Sequence, residues 1–349
     1  MIQPNNIHEY GIYDILYNDS NQYIILTNNN NIHDIRLLID ESISIPFQSY
    51  TSIKGQYEAL PFIYTCDYPK YFNTIALLIN NIKIYVNVTL YPNVNNEIII
   101  STLVRYEDDY ILQFIKYYMS FGIKKFIIYD NAQSSTNYLG KETSLNQNTN
   151  LSLLLKEYIN KEIVILINWP YSTIEGSMRN RQQESQQNHT LYTFKNAKLI
   201  GFFDIDEYLN PQIYFKNLDT FFTDQLIKNN ISLENIGGFT ILSKFFKNPD
   251  SLPEDNFKFL EIFTCNSNVE IAECNYNGII SKAYQKCFIV PKNVNLFQVH
   301  FIMDGIQPIE IDSSQIYINH YIFLNKISRG RAYNRSLVKD NTIIKYIPV

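Results

Sequence analysis

The chain is expected to fold as an α/β protein, with a mostly parallel, Rossmann-like sheet covered by helices and a small all-β unit before it. Three observations predict this. The first 96 residues hold only short strand-like apolar runs. After residue 97 such runs alternate with segments of helical spacing, and at three places the run ends in polar or acidic residues. Alternating strands and helices favour a parallel sheet, and such sheets bind ligands beyond the carboxyl ends of their strands.

Each element follows from its residues. "YGIYDIL", "QYIILT", "DIRLLI", "TIALLI" and "KIYVNVTLY" are separated by turn residues, the spacing of a modest β-sandwich over 1–96. "YPNVNNE" (91–97) is turn-rich and reads as a linker. "EIIISTLV" (97–104) is a continuous β-branched run, suited to a strand buried on both faces. In "EDDYILQFIKYYMSFG", Tyr110, Ile111, Phe114, Ile115, Tyr118 and Met119 fall at helical spacing, with acids at the start and Gly122 at the end. "KKFIIYDN" (124–131) completes a βαβ unit. A helix in "LSLLLKEYIN", a strand in "EIVILINW", a polar helix in "SMRNRQQESQQNHTLYTF" and a strand in "AKLIGFFD" continue the alternation. His189 reads as part of that helix's polar face. Beyond Pro211 come a helix ("NLDTFFTDQLIKN"), a strand ("IGGFTILSKFF") and a less regular tract containing "NPDSLPEDN". The last part, 285–349, carries His300, His320 and the basic "NKISRGRAYNR". The expected division is therefore 1–96 and 97–349. Arg105 with Glu107, Asp130 with Asn131, and Asp204 with Asp206 each follow a strand of the second part, so all should line one rim.

Composition narrows the classes. The 349 residues suggest about two domains of roughly 150 residues, and 46% hydrophobic content can fill their cores. A net charge of −5 with no basic stripe argues against a nucleic-acid polymer as partner, though not against a single nucleotide. Cys66, Cys265, Cys274 and Cys287 make no C-x-x-C pair, which argues against structural zinc and favours reduced thiols. No apolar run approaches the roughly 18 residues of a membrane span. "MIQPNNIHEYG" has neither the basic nor the apolar region of a signal peptide. A soluble, cytoplasmic protein is expected, with no oligomeric state implied. The wealth of Ile, Phe, Tyr and Asn matches AT-rich codons, as in a large DNA virus (which would place the protein in host cytoplasm) or an AT-rich protist.

The densest chemistry is "GFFDIDEYL", where Asp204, Asp206 and Glu207 follow an apolar strand directly. An Asp-x-Asp turn offers hard oxygen ligands to Mn²⁺ or Mg²⁺ and leaves room for substrate phosphates. An isolated Asp-x-Asp reads more readily as a solvated turn, but here the apolar strand before it and the Glu207-Tyr208-Leu209 after it favour a site.

Taken in order, these motifs resemble glycosyltransferase family 92 and its relatives of GT-A fold. The resemblance rests on Val104-Arg105-Tyr106-Glu107, Gly122, Tyr129-Asp130-Asn131, Arg181-Gln182-Gln183 and Phe203-Asp204-Ile205-Asp206-Glu207-Tyr208-Leu209. Pro291, "VHF" (299–301) and "NHYIFLNK" (319–326) extend it. It implies inverting transfer of a sugar, commonly galactose, from a UDP-linked donor to a glycan acceptor, with Mn²⁺ or Mg²⁺ on the diphosphate. Arg105, Glu107, Asp130, Asn131 and Asp204 would line the nucleotide pocket, and Lys326 or Arg329 would meet the diphosphate. Asp206 would be the principal metal ligand, joined by Asp204 and His300, with His320 in reserve. Glu254 or Asp255, in "PED", would be the base that deprotonates the acceptor, with Glu207 the alternative, a residue better suited to buttressing the turn. The competing reading is a glycan-binding or structural protein with a degenerate transferase domain.

Overall fold

A computed structural model describes residues 1–5, 7, 11–28, 32, 34–39, 43–50, 61–105, 108–132, 150–171, 181–245, 264–266, 285–321, 337–339 and 343. Before residue 98 its regular elements are strands: β1 (Ile12–Tyr17), β2 (Gln22–Thr27), β3 (Ile35–Ile39), β4 (Ile43–Pro46), β5 (Gln48–Tyr50), β6 (Phe62–Asp67), β7 (Thr74–Ile79), β8 (Ile82–Asn87) and β9 (Thr89–Leu90). They form two sheets, ordered β5-β6-β2-β1-β9 and β4-β3-β7-β8. Asparagine serves their turns: Asn80 and Asn81, between β7 and β8, take φ values of 47° and 70°. That left-handed pair is what a two-residue type I′ hairpin needs, and Asn tolerates it well.

The two sheets face each other through Ile15, Tyr17, Tyr23 and Ile25 on one side and Leu37, Ile75, Leu77 and Ile79 on the other. β1 and β2 are buried on both faces. Their second face, with Tyr13, Leu16, Ile24 and Leu26, joins a core containing Ile99, Ile127 and Ile165 of the next sheet. Continuous rather than alternating apolar runs are what such two-sided burial requires.

The rest of the chain supplies β10 (Ile98–Val104), α1 (Asp108–Ser120), β11 (Lys125–Asp130), α2 (Leu151–Leu154), α3 (Lys156–Asn160), β12 (Val164–Asn168), α4 (Arg181–Thr193), β13 (Leu199–Phe202), β14 (Glu207–Pro211) and α5 (Leu218–Lys228). Then follow β15 (Gly238–Ile241), β16 (Ser243–Phe245), β17 (Thr264–Asn266), β18 (Lys286–Ile289), β19 (Val294–Gln298), β20 (Phe301–Gly305), β21 (Ile309–Glu310), β22 (Ile316–His320) and β23 (Leu337–Lys339). A seven-stranded sheet is ordered β12-β11-β10-β13-β18-β15-β21. Its first four strands are parallel, as the alternation predicts. β18 then enters antiparallel to both β13 and β15, a reversal that the alternation did not signal. β11 lies on one side of β10 and β13 on the other, so the strand order switches there. The crevice beyond those carboxyl ends is where open α/β sheets bind ligands. β14, β22 and β16 form a separate small sheet above that end. No helix among the described residues is long and apolar enough to cross a membrane, and Cys66 and Cys287 are free and buried.

Two helices differ from their sequence reading. In α1, Tyr117 is buried while Met119 is 37% exposed. The Tyr117 hydroxyl reaches the Leu209 carbonyl at 2.5 Å, which rewards burying that ring instead. Gly122, with φ of +88°, closes α1 as expected. In α4 the polar face is not solvated: Glu184, Gln186, Gln187, Asn188, His189 and Thr190 are all buried. This helix lies between the sheet and the first unit, and its polar groups bond across both. Asn188 donates to the Phe297 carbonyl at 2.7 Å, and Gln186 to the Ser101 hydroxyl at 2.7 Å.

Asp14 of β1 anchors that packing. Its Oδ1 accepts from the backbone N–H groups of Asn5 and Ile15 and from the Thr89 hydroxyl, each at 2.8 Å. Its Oδ2 accepts from the Tyr91 hydroxyl at 2.7 Å and from His189 Nε2 at 2.9 Å. With Nε2 donating, His189 Nδ1 accepts from the Tyr129 hydroxyl at 2.6 Å. Asp14→Asn would turn an NH₂ toward two donors. It should cost roughly 3 kcal/mol in urea unfolding, whereas a loss below about 1 kcal/mol would show that the network contributes little.

Candidate active site

The acidic turn is built by the end of β13. After Phe202 the chain leaves the sheet, and the Glu207 N–H returns to the Asp204 carbonyl at 3.0 Å. The Glu207 carboxylate locks the same turn from the side, accepting from the Asp204 N–H at 2.9 Å. α1 holds it from beneath: the Tyr118 hydroxyl donates to the Glu207 carbonyl at 2.8 Å, and Tyr117 to Leu209. β14 then pairs antiparallel with β22, setting Glu207 directly opposite His320, and the Tyr321 N–H reaches the Asp206 carbonyl at 2.8 Å.

The charged groups fall into two sets. Lys286, at the start of β18, is entirely buried. Its ammonium lies 2.8 Å from Asp204 Oδ2 and 3.1 Å from Glu207 Oε2. Gln183 of α4 donates to the other oxygen of Asp204 at 2.7 Å. On the opposite side His320 stands 3.5 Å from Asp206 Oδ2 and 3.4 Å from Glu207 Oε1. Burial alone would lower the Lys286 pKa, but Asp204 and Glu207 outweigh it and hold the ammonium above its usual range. His320 behaves alike: burial pushes it down, Asp206 and Glu207 push it up further, and the net shift is upward. Burial raises the Glu207 carboxyl, and the Lys286 charge pulls against that rise.

Asp206, Glu207 and His320 are buried, and one ligand atom of each lies within 4.8 Å of the others. Asp206 Oδ1 and Glu207 Oε1 are buried with no hydrogen-bond partner among the described residues. Two carboxylates and an imidazole, with two carboxylate oxygens accepting no hydrogen bond, fit a divalent cation of the Mn²⁺ kind.

Several expected residues fall on the same rim. β11, β10 and β13 are adjacent and parallel, so Asp130, Arg105 and Asp204 lie at one edge. Asp130 Oδ1 accepts from the Ala132 N–H at 3.0 Å. Asn131 ties the rim together, donating to the carbonyls of Trp169 and Tyr171 at 2.6 and 3.0 Å. The expected metal trio is arranged differently. Asp204 gives its oxygens to Gln183 and Lys286. His300 sits at the turn between β19 and β20, with Nδ1 2.8 Å from the Gln285 carbonyl, and it is His320 that meets Asp206. Glu107, Glu254, Asp255, Lys326 and Arg329 lie outside the described residues. Sequence reasoning missed Lys286, whose one signal was a lysine opening the apolar run "KCFIV".

The profile of glycosyltransferase family 92 matches residues 98–346, well over half of the chain. No curated protein matches. Among solved structures, 23 chains match. One is the crystal structure of S. aureus TarS, at 13% identity and a TM-score of 0.26, covering 45% of this chain and 23% of that one. Another is the apo structure of the bifunctional glycosyltransferase WbbM, at 11% identity and a TM-score of 0.28, covering 59% and 33%. The chain thus spans about a quarter of the first and a third of the second.

One property of the site is checkable by pH. A carbonyl only accepts, so His300 Nδ1 carries the proton. Burial, reinforced by Lys286, pushes its pKa down to about 3. Between there and the ordinary value near 6.5 the unfolded chain binds a proton that the folded one refuses. The contribution to stability is therefore full above about pH 6.5 and is lost as pH falls toward 3. NMR titration should show His300 unchanged from pH 8 to 5, whereas a midpoint near 6.5 would show that its half-buried ring titrates as if in solvent.

Proposed function

The chain belongs to glycosyltransferase family 92, and from that premise we propose an inverting, Mn²⁺-dependent transfer of a sugar, galactose foremost, from a UDP-linked donor to a glycan acceptor on a GT-A arrangement. One observation carries the proposal: Asp206, Glu207 and His320 converge above the strand-order switch, with two buried carboxylate oxygens that accept no hydrogen bond among the described residues. These three residues would hold the ion. Bound there, it supplies the positive charge that a diphosphate leaving group requires.

The chain's own groups do the remainder. Tyr117 and Tyr118 fix the turn through its carbonyls, so the ligands need no reorganisation. Asp130 and Arg105, at the neighbouring strand ends, are our candidates for the nucleoside, with Asn131 bracing that edge. Glu107 and Lys326 are proposed for the nucleotide and its diphosphate. Glu254 or Asp255 is proposed as the base. In the transfer step the acceptor oxygen bonds to the anomeric carbon as the bond to the diphosphate oxygen breaks, and the hydroxyl proton passes to that carboxylate.

Mn²⁺ with UDP should raise the melting temperature of the full chain by a few degrees, as saturating ligand does. Asp206→Ala should abolish that rise and lower transfer about a thousandfold, or roughly 4 kcal/mol, while the far-UV spectrum stays unchanged. An Asp206→Ala protein that still responds to Mn²⁺ and transfers sugar would remove the metal from this site.

A further inference from the structure

Beside the ligand face of the turn stands a cation that the chain provides for itself. Lys286 has no exposure, and a buried ammonium is costly unless it is paired and hydrogen-bonded. It is paired twice, with Asp204 at 2.8 Å and Glu207 at 3.1 Å. The pairing splits the acidic cluster. Asp204 has one oxygen on Lys286 and the other on Gln183. Glu207 has Oε2 on Lys286 and on the Asp204 N–H, which aims Oε1 toward His320 at 3.4 Å. Among the described residues, Asp206, Glu207 Oε1 and His320 form the ligand set that remains grouped for an added ion.

We propose that Lys286 is the positioning residue of the metal site: a resident monovalent cation that fills the Asp204 side of the turn and confines a divalent ion to Asp206, Glu207 and His320. This rests on the function proposed above. Three carboxylates within four residues bring three negative charges to one turn. With Lys286 in place and His320 neutral, as a metal ligand must be, two remain to be balanced, which one divalent ion does. Without it, Asp204 and Glu207 Oε2 form a second oxygen pair, only partly buried on the Asp204 side, open to another cation. Lys286 also holds the Glu207 rotamer, so the ligand set exists before any ion arrives.

The test is Mn²⁺ titration of the whole 349-residue chain, with bound ions counted by electron paramagnetic resonance and thermal unfolding followed in parallel. Wild type should bind one ion. Lys286→Met should bind two and show a larger Mn²⁺-induced rise in melting temperature, and Lys286→Arg should return to one. A Lys286→Met protein with the same stoichiometry and thermal response as wild type overturns the proposal. If wild type binds no Mn²⁺, the metal-dependent function fails. Lys286 is then judged separately: a Met variant that gains an ion supports its role, and one that gains none overturns it. Should Lys286→Met not fold, Lys286→Met with Asp204→Asn restores the charge balance. That double variant should fold and bind one ion, and failure to do so also overturns the proposal.

Discussion

Lys286 keeps its charge at zero exposure only because Asp204 and Glu207 approach within 2.8 and 3.1 Å, and the centre of the molecule is arranged around that contact. For the lysine to arrive, β18 must enter the sheet antiparallel against β13, at the point where the parallel order ends. For the carboxylates to meet it, the chain must leave β13 in a tight turn, and Glu207 must fold back onto the Asp204 N–H. Removing either side leaves an uncompensated buried charge, which is far costlier than the pair's own modest net worth. Fold and site are therefore coupled electrostatically here.

A second constraint runs along α4. Its residues are too polar for a core helix, yet they are buried, so each buried donor and acceptor needs a partner. Among the described residues those partners include Ser101 on β10, Tyr129 on β11, the Phe297 carbonyl on β19, Asp204 at the acidic turn and Asp14 on β1. The family profile begins at residue 98, but one of these partners lies well before it. The first unit thus supplies an acceptor to the helix that also holds Asp204 through Gln183, and its β1 and β2 share a core with the parallel sheet.

The sequence made some of this legible for clear physical reasons. Alternating apolar and amphipathic runs are local, so β10 to β13 and the shared rim of Arg105, Asp130 and Asp204 could be read directly. Gly122 was legible because a left-handed helix end favours glycine. Pairings between distant segments leave no local trace. Lys286 lies about eighty residues from its acids, and nothing in "KCFIV" states which strand it will join. Met119 and Tyr117 both suit the buried stripe of α1, and the Leu209 carbonyl with the rings of Phe121 and Tyr208 favours Tyr117. His189 looked solvated because its helix is polar, since a helical pattern shows polarity but not what covers it.

The contrast between His300 and His320 shows how register brings distant side chains together. Both histidines sit in apolar strand sequences, and composition does not separate them. His320 lies on β22, whose antiparallel register with β14 puts it directly across from Glu207. Cross-strand neighbours bring their Cβ atoms to about 5 Å, so acid and imidazole meet through backbone geometry, without a long side chain having to search. The Tyr321 N–H on the Asp206 carbonyl extends the same register by one residue and brings the remaining acid alongside. A slip of one position would turn His320 to the other face of the strand and disperse the set. The Tyr117 and Tyr118 hydroxyls on the β14 carbonyls oppose such a slip. The aromatic underside of α1 thereby fixes the acidic turn above it through its backbone carbonyls.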